Sequence, residues 1–167
     1  GLADGKKVTI TTSWNNRTYR TSTDKDGNWL VKVDTPAGGY TPYSITISDG
    51  TPVTLSDILI GEVWICSGQS NMEMRMMGNS AQPVDNSLET ILNAGNYRDR
   101  IRFITVPRIK DIQKRTDFEG KKWEVSSPET TIDCSATGYF FAKQLTQSLN
   151  LPVGLVINSW GGSAIEA

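Results

Sequence analysis

The sequence predicts an α/β domain preceded by a small antiparallel β module, and three observations carry that expectation. From Val8 to about Leu55 polar and apolar side chains alternate in short runs between Gly/Asn/Asp turns, the pattern of half-buried strands. Beyond Ser56 the texture changes to continuous apolar runs separated by stretches with helical spacing. Continuous apolar strands alternating with amphipathic helices indicate a parallel sheet covered on both faces.

In the first module, residues 1–56, the strand-like runs read VTITTSW, RTYRTST, NWLVKV, YSITIS and PVTL. Asn15-Asn16, Asp26-Gly27-Asn28, Gly38-Gly39 and Asp49-Gly50 mark the turns between them. The reading is β-sandwich-like, and the module is small for a core of its own, because a domain near 60 residues buries only about 60% of the surface its unfolded chain exposes. In residues 57–167 the apolar run 58–66 reads as one continuous buried strand, followed by a helix over 87–94 and a strand over 101–106. A second helix is expected over 136–149, with Phe141, Leu145 and Leu149 four apart, and Leu151-Pro152 separates it from a strand over 153–157. Ser163-Ala164-Ile165-Glu166 then fits the capping box that opens a helix, just as the sequence stops. A first turn is costly to nucleate and is rewarded only by propagation and packing, so residues 57–167 read as the N-terminal part of a longer, truncated domain.

The composition, 37% apolar and 21% charged over 167 residues, is that of an ordinary globular protein. With 17 basic against 18 acidic residues there is no surplus of cations to neutralise phosphates, which argues against nucleic acid as a partner. The apolar run 58–66 is far short of the ~20 residues that cross a bilayer, so no membrane partner is expected. Cys66 and Cys134 belong to no C-x-x-C pattern, which argues against a zinc or thioredoxin-like site and leaves buried thiols or a disulfide as readings. The stretch from Asp24 to Asn28 has its glycine at the wrong place for a calcium loop and no closing Glu, so it reads as a hairpin turn. No metal or organic cofactor is implied.

Ligands of open parallel sheets bind beyond the carboxyl ends of the strands, so the loops leaving each apolar strand matter most. One is Ser67-Gly68-Gln69-Ser70-Asn71-Met72, which places a serine at the strand exit. The other is Asn158-Ser159-Trp160-Gly161-Gly162, where an amide side chain and two glycines let N–H donors approach a substrate oxygen. Taken singly, a Gly-Ser turn and a Gly-Gly pair are ordinary loop chemistry; their occurrence on two strand exits is what points to a site. A serine hydroxyl is a poor nucleophile unless a neighbouring base takes its proton, and the chain contains no histidine. The nucleophile is therefore expected here and its base elsewhere. Trp160 either lines a pocket for the acyl group or sugar or packs; Trp14, Trp29, Trp64 and Trp123 read as packing residues. Glu73 and Arg75 read as solvated or structurally paired.

The blocks GEVWICSGQSNMEM, QPV, CSATGYFFAKQL and GLVINSWGGSAIEA, in that order, resemble the sialate O-acetylesterase group of the SGNH hydrolases across residues 51–167. The resemblance implies a flavodoxin-like SGNH hydrolase domain with Ser70 as nucleophile and its own N–H in the oxyanion hole. It implies Gly138 as the family's glycine donor, with helix-start packing as the competing explanation, and Asn158 or the Gly161-Gly162 pair as the remaining donor. Gln69 and Trp160 would line the substrate side. The resemblance also implies that the β module of residues 1–56 is incomplete. Where many SGNH enzymes carry Gly-x-Asn-Asp, this chain has Asn-Ser-Trp-Gly-Gly, and the family's Asp-x-x-His block has no counterpart. The implied partners are an acetylated carbohydrate, sialate or another glycan, and a segment carrying Asp and His. The implied setting is secreted or periplasmic. Without a histidine these residues alone are expected to be nearly inert as an esterase. Two other readings stay open: a non-catalytic glycan-binding or interaction module with a hydrolase-like fold, and one half of a split esterase.

Overall fold

The computed structural model describes residues 4–113, 117–118 and 122–163. The chain divides into two compact units, Gly1–Ile60 and Gly61–Ala167, each built on its own four-stranded sheet.

In the first unit β1 (Lys7–Thr12), β2 (Thr18–Ser22), β3 (Gly39–Ser48) and β4 (Pro52–Ile60) pair antiparallel in the order β2-β1-β3-β4. Val8, Ile10 and Thr12 alternate to one face of β1 and are buried, as period-two patterning requires. This is one sheet, not a sandwich, and the expected strand NWLVKV is irregular. Side chains hold that stretch in place of a backbone ladder. Thr21 Oγ1 donates to the Leu30 carbonyl (3.1 Å), Trp14 Nε1 donates to the Asp34 carbonyl (2.7 Å), and the Leu30 side chain is left 80% exposed.

The apolar run 58–66 is likewise not one strand. It breaks at Gly61, where the first three residues finish β4 and the rest open β5 (Glu62–Gly68) in the other sheet. The physical cause is close approach: a Cβ on Gly61 would overlap the Pro152 carbonyl oxygen, which also accepts the Glu62 N–H at 3.0 Å.

The second unit has the strand order β5-β8-β6-β7, with β6 spanning Ile101–Thr105, β7 Glu124–Val125 and β8 Val153–Ser159. β8 pairs parallel with both β5 and β6, while the short β7 runs antiparallel at the edge. A flavodoxin-like order would seat the first parallel strand between the second and third. Here the third, β8, takes the centre, which corrects that expectation. Val153, Leu155 and Ile157 of β8 are at most 3% exposed, whereas Val63 and Ile65 of β5 are 65% and 73% exposed. Among the described residues the sheet is also not covered on both faces.

The covered face lies against α4 (Ala136–Leu149). Ser135 Oγ caps this helix by accepting the Gly138 N–H (3.1 Å), and Asn150, in the left-handed region at φ 52°, closes it by donating its N–H to the Thr146 carbonyl (3.0 Å). The buried stripe is Ala136, Tyr139, Ala142 and Thr146 at intervals of three and four, not the expected Phe141, Leu145 and Leu149. Small residues let α4 sit close to the sheet, and Phe141 turns aside to meet Trp64 edge-on, with ring centroids 5.1 Å apart. The helix expected over 87–94 is α2 (Ser87–Leu92) followed by a 3-10 turn (Ala94–Tyr97), and one-turn helices α1 (Ser70–Glu73) and α3 (Pro128–Thr131) complete the unit.

Candidate active site

β5 ends in Gly68, whose φ of +150° only glycine adopts without strain, and the chain turns directly into α1 with Ser70 as its first residue. Ser70 is exposed, and among the described residues no side chain accepts its hydroxyl proton. Parallel pairing sets the two exits side by side, with Ser67 opposite Asn158 and Gly68 opposite Ser159. The Trp160 N–H then donates to the Gly68 carbonyl (3.1 Å), which fastens the two loops together. A Cβ on Gly161 would lie 3.8 Å from Ser70 Cα, so the β8 loop runs along the serine.

Beyond these exits an open cleft of about 1220 Å³ is lined by Ser67, Gln69, Arg108, Lys110, Asn158 and Trp160, among others. Ser70 stands beside this cleft instead of among its lining residues. Asn158 is exposed, and Gly162 holds a left-handed φ of +76° with open space where a Cβ would project. Half-buried Trp160 faces the Lys110 ammonium, which lies 5.8 Å from the ring centroid. Gln69 Nε2 donates to the Ser163 carbonyl, and Ser163 closes the turn through its N–H and Oγ to the Trp160 carbonyl (3.2 and 2.7 Å). The expected helix start at Ser163 falls on residues 164–167, outside the described residues.

Gly138 is elsewhere. It is buried at the start of α4 with its N–H donated to Ser135 Oγ, and a Cβ there would sit 3.5 Å from both Cys66 Sγ and Leu155 Cδ1. Its surroundings are those of the competing helix-start packing explanation. Cys66 and Cys134 are free thiols in this core. Burial pushes both above the usual thiol range, so neither is a nucleophile at neutral pH. Among the described residues no group of three or more His, Cys, Asp or Glu is placed to hold a metal ion, and no helix is long and apolar enough to cross a membrane.

Two residues at the site carry more than the sequence announces. Glu73 accepts the Gly161 N–H and pairs with Arg108 from the loop after β6. Glu73 lies one helical turn after Ser70, which is a usable signal; Arg108 carries none, because only the sheet topology brings it there. Arg75 is structurally paired as expected, with Asp133 at 3.0 Å.

No protein-family model matches the chain. It is similar to human sialate O-acetylesterase, with 31% identity over 83% of this chain and 28% of that protein. It is also similar to the mouse protein of the same name, with 29% identity over 97% of this chain and 32% of that protein. Among solved structures it resembles a carbohydrate acetylesterase from Xanthomonas citri, with 29% identity and a TM-score of 0.87 over 99% of this chain and 36% of that one. The chain thus spans about a third or less of the length of the curated relatives it matches.

Proposed function

Because the chain belongs to the sialate O-acetylesterase group, we propose that it carries the nucleophile-bearing part of a serine esterase that removes O-acetyl groups from carbohydrate. The observation that carries this reading is the exposed Ser70 at the exit of β5, with the Gly161 backbone from the neighbouring strand exit running beside it. Ser70 Oγ attacks the acetyl carbonyl, and the tetrahedral oxyanion is held by the Asn158 side-chain amide and by backbone N–H groups of Ser70 and Gly162. Collapse releases the sugar hydroxyl and leaves an acetyl ester on Ser70, which water then cleaves to acetate. The proton acceptor lies outside these 167 residues, in an Asp-x-x-His block of the SGNH type.

Trp160 and Lys110 flank the approach of the sugar, a flat apolar face next to a cation, which suits an acetylated sugar with a negative charge such as sialate. The relatives' names support carbohydrate acetyl esters as the substrate class, and the family likeness supports an exported enzyme as its setting. The absence of histidine supports a second reading, in which another polypeptide supplies the Asp and His or the fold binds acetylated glycan without cleaving it. The test uses protein expressed from the complete natural reading frame, incubated with O-acetylated sialic acid and with an O-acetylated neutral sugar. Acetate release that disappears in Ser70→Ala is expected. Undiminished release in Ser70→Ala removes Ser70 from the mechanism, and binding without release favours the second reading.

A further inference from the structure

Glu73 closes the one-turn helix that Ser70 opens, and its carboxylate reaches two other strand exits. Oε2 accepts the Gly161 N–H from the loop after β8, while Oε1 pairs with the Arg108 guanidinium from the loop after β6. The Glu73 side chain is 26% exposed and that of Arg108 47%, so the carboxylate is the inner partner of the pair. Gly161 has no left-handed φ that would call for glycine. A Cβ at 161 would meet Glu73 Oε2, the tip of the carboxylate, which would have to shift to admit it.

We infer, on the reading that Ser70 is the nucleophile, that Glu73 is a positioning residue that fixes the Gly161 backbone beside Ser70 and withdraws its N–H from the oxyanion donors. An N–H already donated to a carboxylate makes a strong charge-assisted bond and is not free for a developing alkoxide. The donors that remain on this loop are the Asn158 amide and the Gly162 N–H. A bare carboxylate near the reacting carbonyl would also oppose the charge that grows there, and pairing with Arg108 offsets that repulsion. Glu73 therefore sets the distance between nucleophile and donors while Arg108 keeps its charge balanced.

The experiment compares Glu73→Ala and Glu73→Gln in protein from the complete reading frame, with 4-nitrophenyl acetate as substrate. Glu73→Ala is expected to lower kcat about 10²-fold, as a misplacement near 1 Å does, with KM changed by less than about twofold. Glu73→Gln keeps an oxygen for the Gly161 N–H and is expected to recover kcat to within about tenfold of the natural protein. If Glu73→Ala retains full kcat while Ser70→Ala is inactive, this inference fails and the esterase reading survives. An active Ser70→Ala overturns the esterase reading itself. Equal loss in Glu73→Ala and Glu73→Gln also overturns the inference, because then charge and not position is at work. Should Glu73→Ala fail to fold, Glu73→Asp, which keeps the charge but draws the carboxylate back from the Gly161 N–H by one methylene, is expected to reproduce the kcat loss, and full kcat in that variant contradicts the inference.

Discussion

The starts of α1 and α4 each carry a serine, and the two serines differ in every physical respect. Ser135, at the start of α4, is 4% exposed; its Oγ accepts the Gly138 N–H (3.1 Å) and donates to Met72 Sδ (3.4 Å). Ser70, at the start of α1, is exposed and has no described side chain to take its proton. One hydroxyl is fully engaged in holding a helix on the sheet, and the other is left for something outside. The glycines repeat the contrast: Gly138 is packed in the core, and the Gly161 N–H is held by a carboxylate beside the Ser70 turn. The role of such residues is set by burial and partners, not by residue type.

By that contrast, substitutions at the strand exits are expected to damage chemistry and spare stability, and substitutions at the start of α4 to do the reverse. Ser70→Ala has the largest expected effect, a fall in kcat on the order of 10⁶-fold with an unchanged unfolding midpoint, read by ester hydrolysis and thermal denaturation. Asn158→Ala should come next, lowering kcat by about 10²- to 10³-fold through loss of one oxyanion donor; a change confined to KM would remove Asn158 from that role. Ser135→Ala should do the opposite. Loss of the cap is expected to cost about 1 kcal/mol in denaturant titration, while kcat per folded molecule is retained. The last prediction concerns the buried thiols. Cys66 and Cys134 stay protonated in the fold above the ordinary thiol value of 9.0, whereas the unfolded chain ionises there and binds fewer protons. Their contribution to stability is therefore constant below that pH and falls as pH rises through it, a decline that Cys66→Ala/Cys134→Ala should reduce in titrations between about pH 7 and 10.

Where a segment's surroundings are local, the sequence is a good guide. Residues 136–149 form the helix expected of them, because Ser135 and Asn150 cap it from its own neighbourhood. The strand exits at Ser70 and Asn158 come together because β5 and β8 pair in parallel, and both strands lie in apolar runs visible in the sequence, although the first of these runs also ends β4. What is not legible depends on distant chain. The break at Gly61 is caused by Pro152, and β8 lies at the centre of its sheet, buried against α4. Arg108 meets Glu73 only after three strands have been ordered, so no spacing in the sequence announces it. Gly138 shows the same limit, since a glycine early in a helix looks the same in sequence whether its N–H faces a ligand or a cap.

Covalent labelling tests the central claim most directly. Protein from the complete reading frame is treated with a fluorophosphonate, digested, and the modified peptide located by mass spectrometry. The account predicts a single adduct on Ser70, formed at a rate that falls when acetyl ester substrate is present. An adduct on a different serine, or sustained ester hydrolysis with Ser70 unmodified, would contradict it.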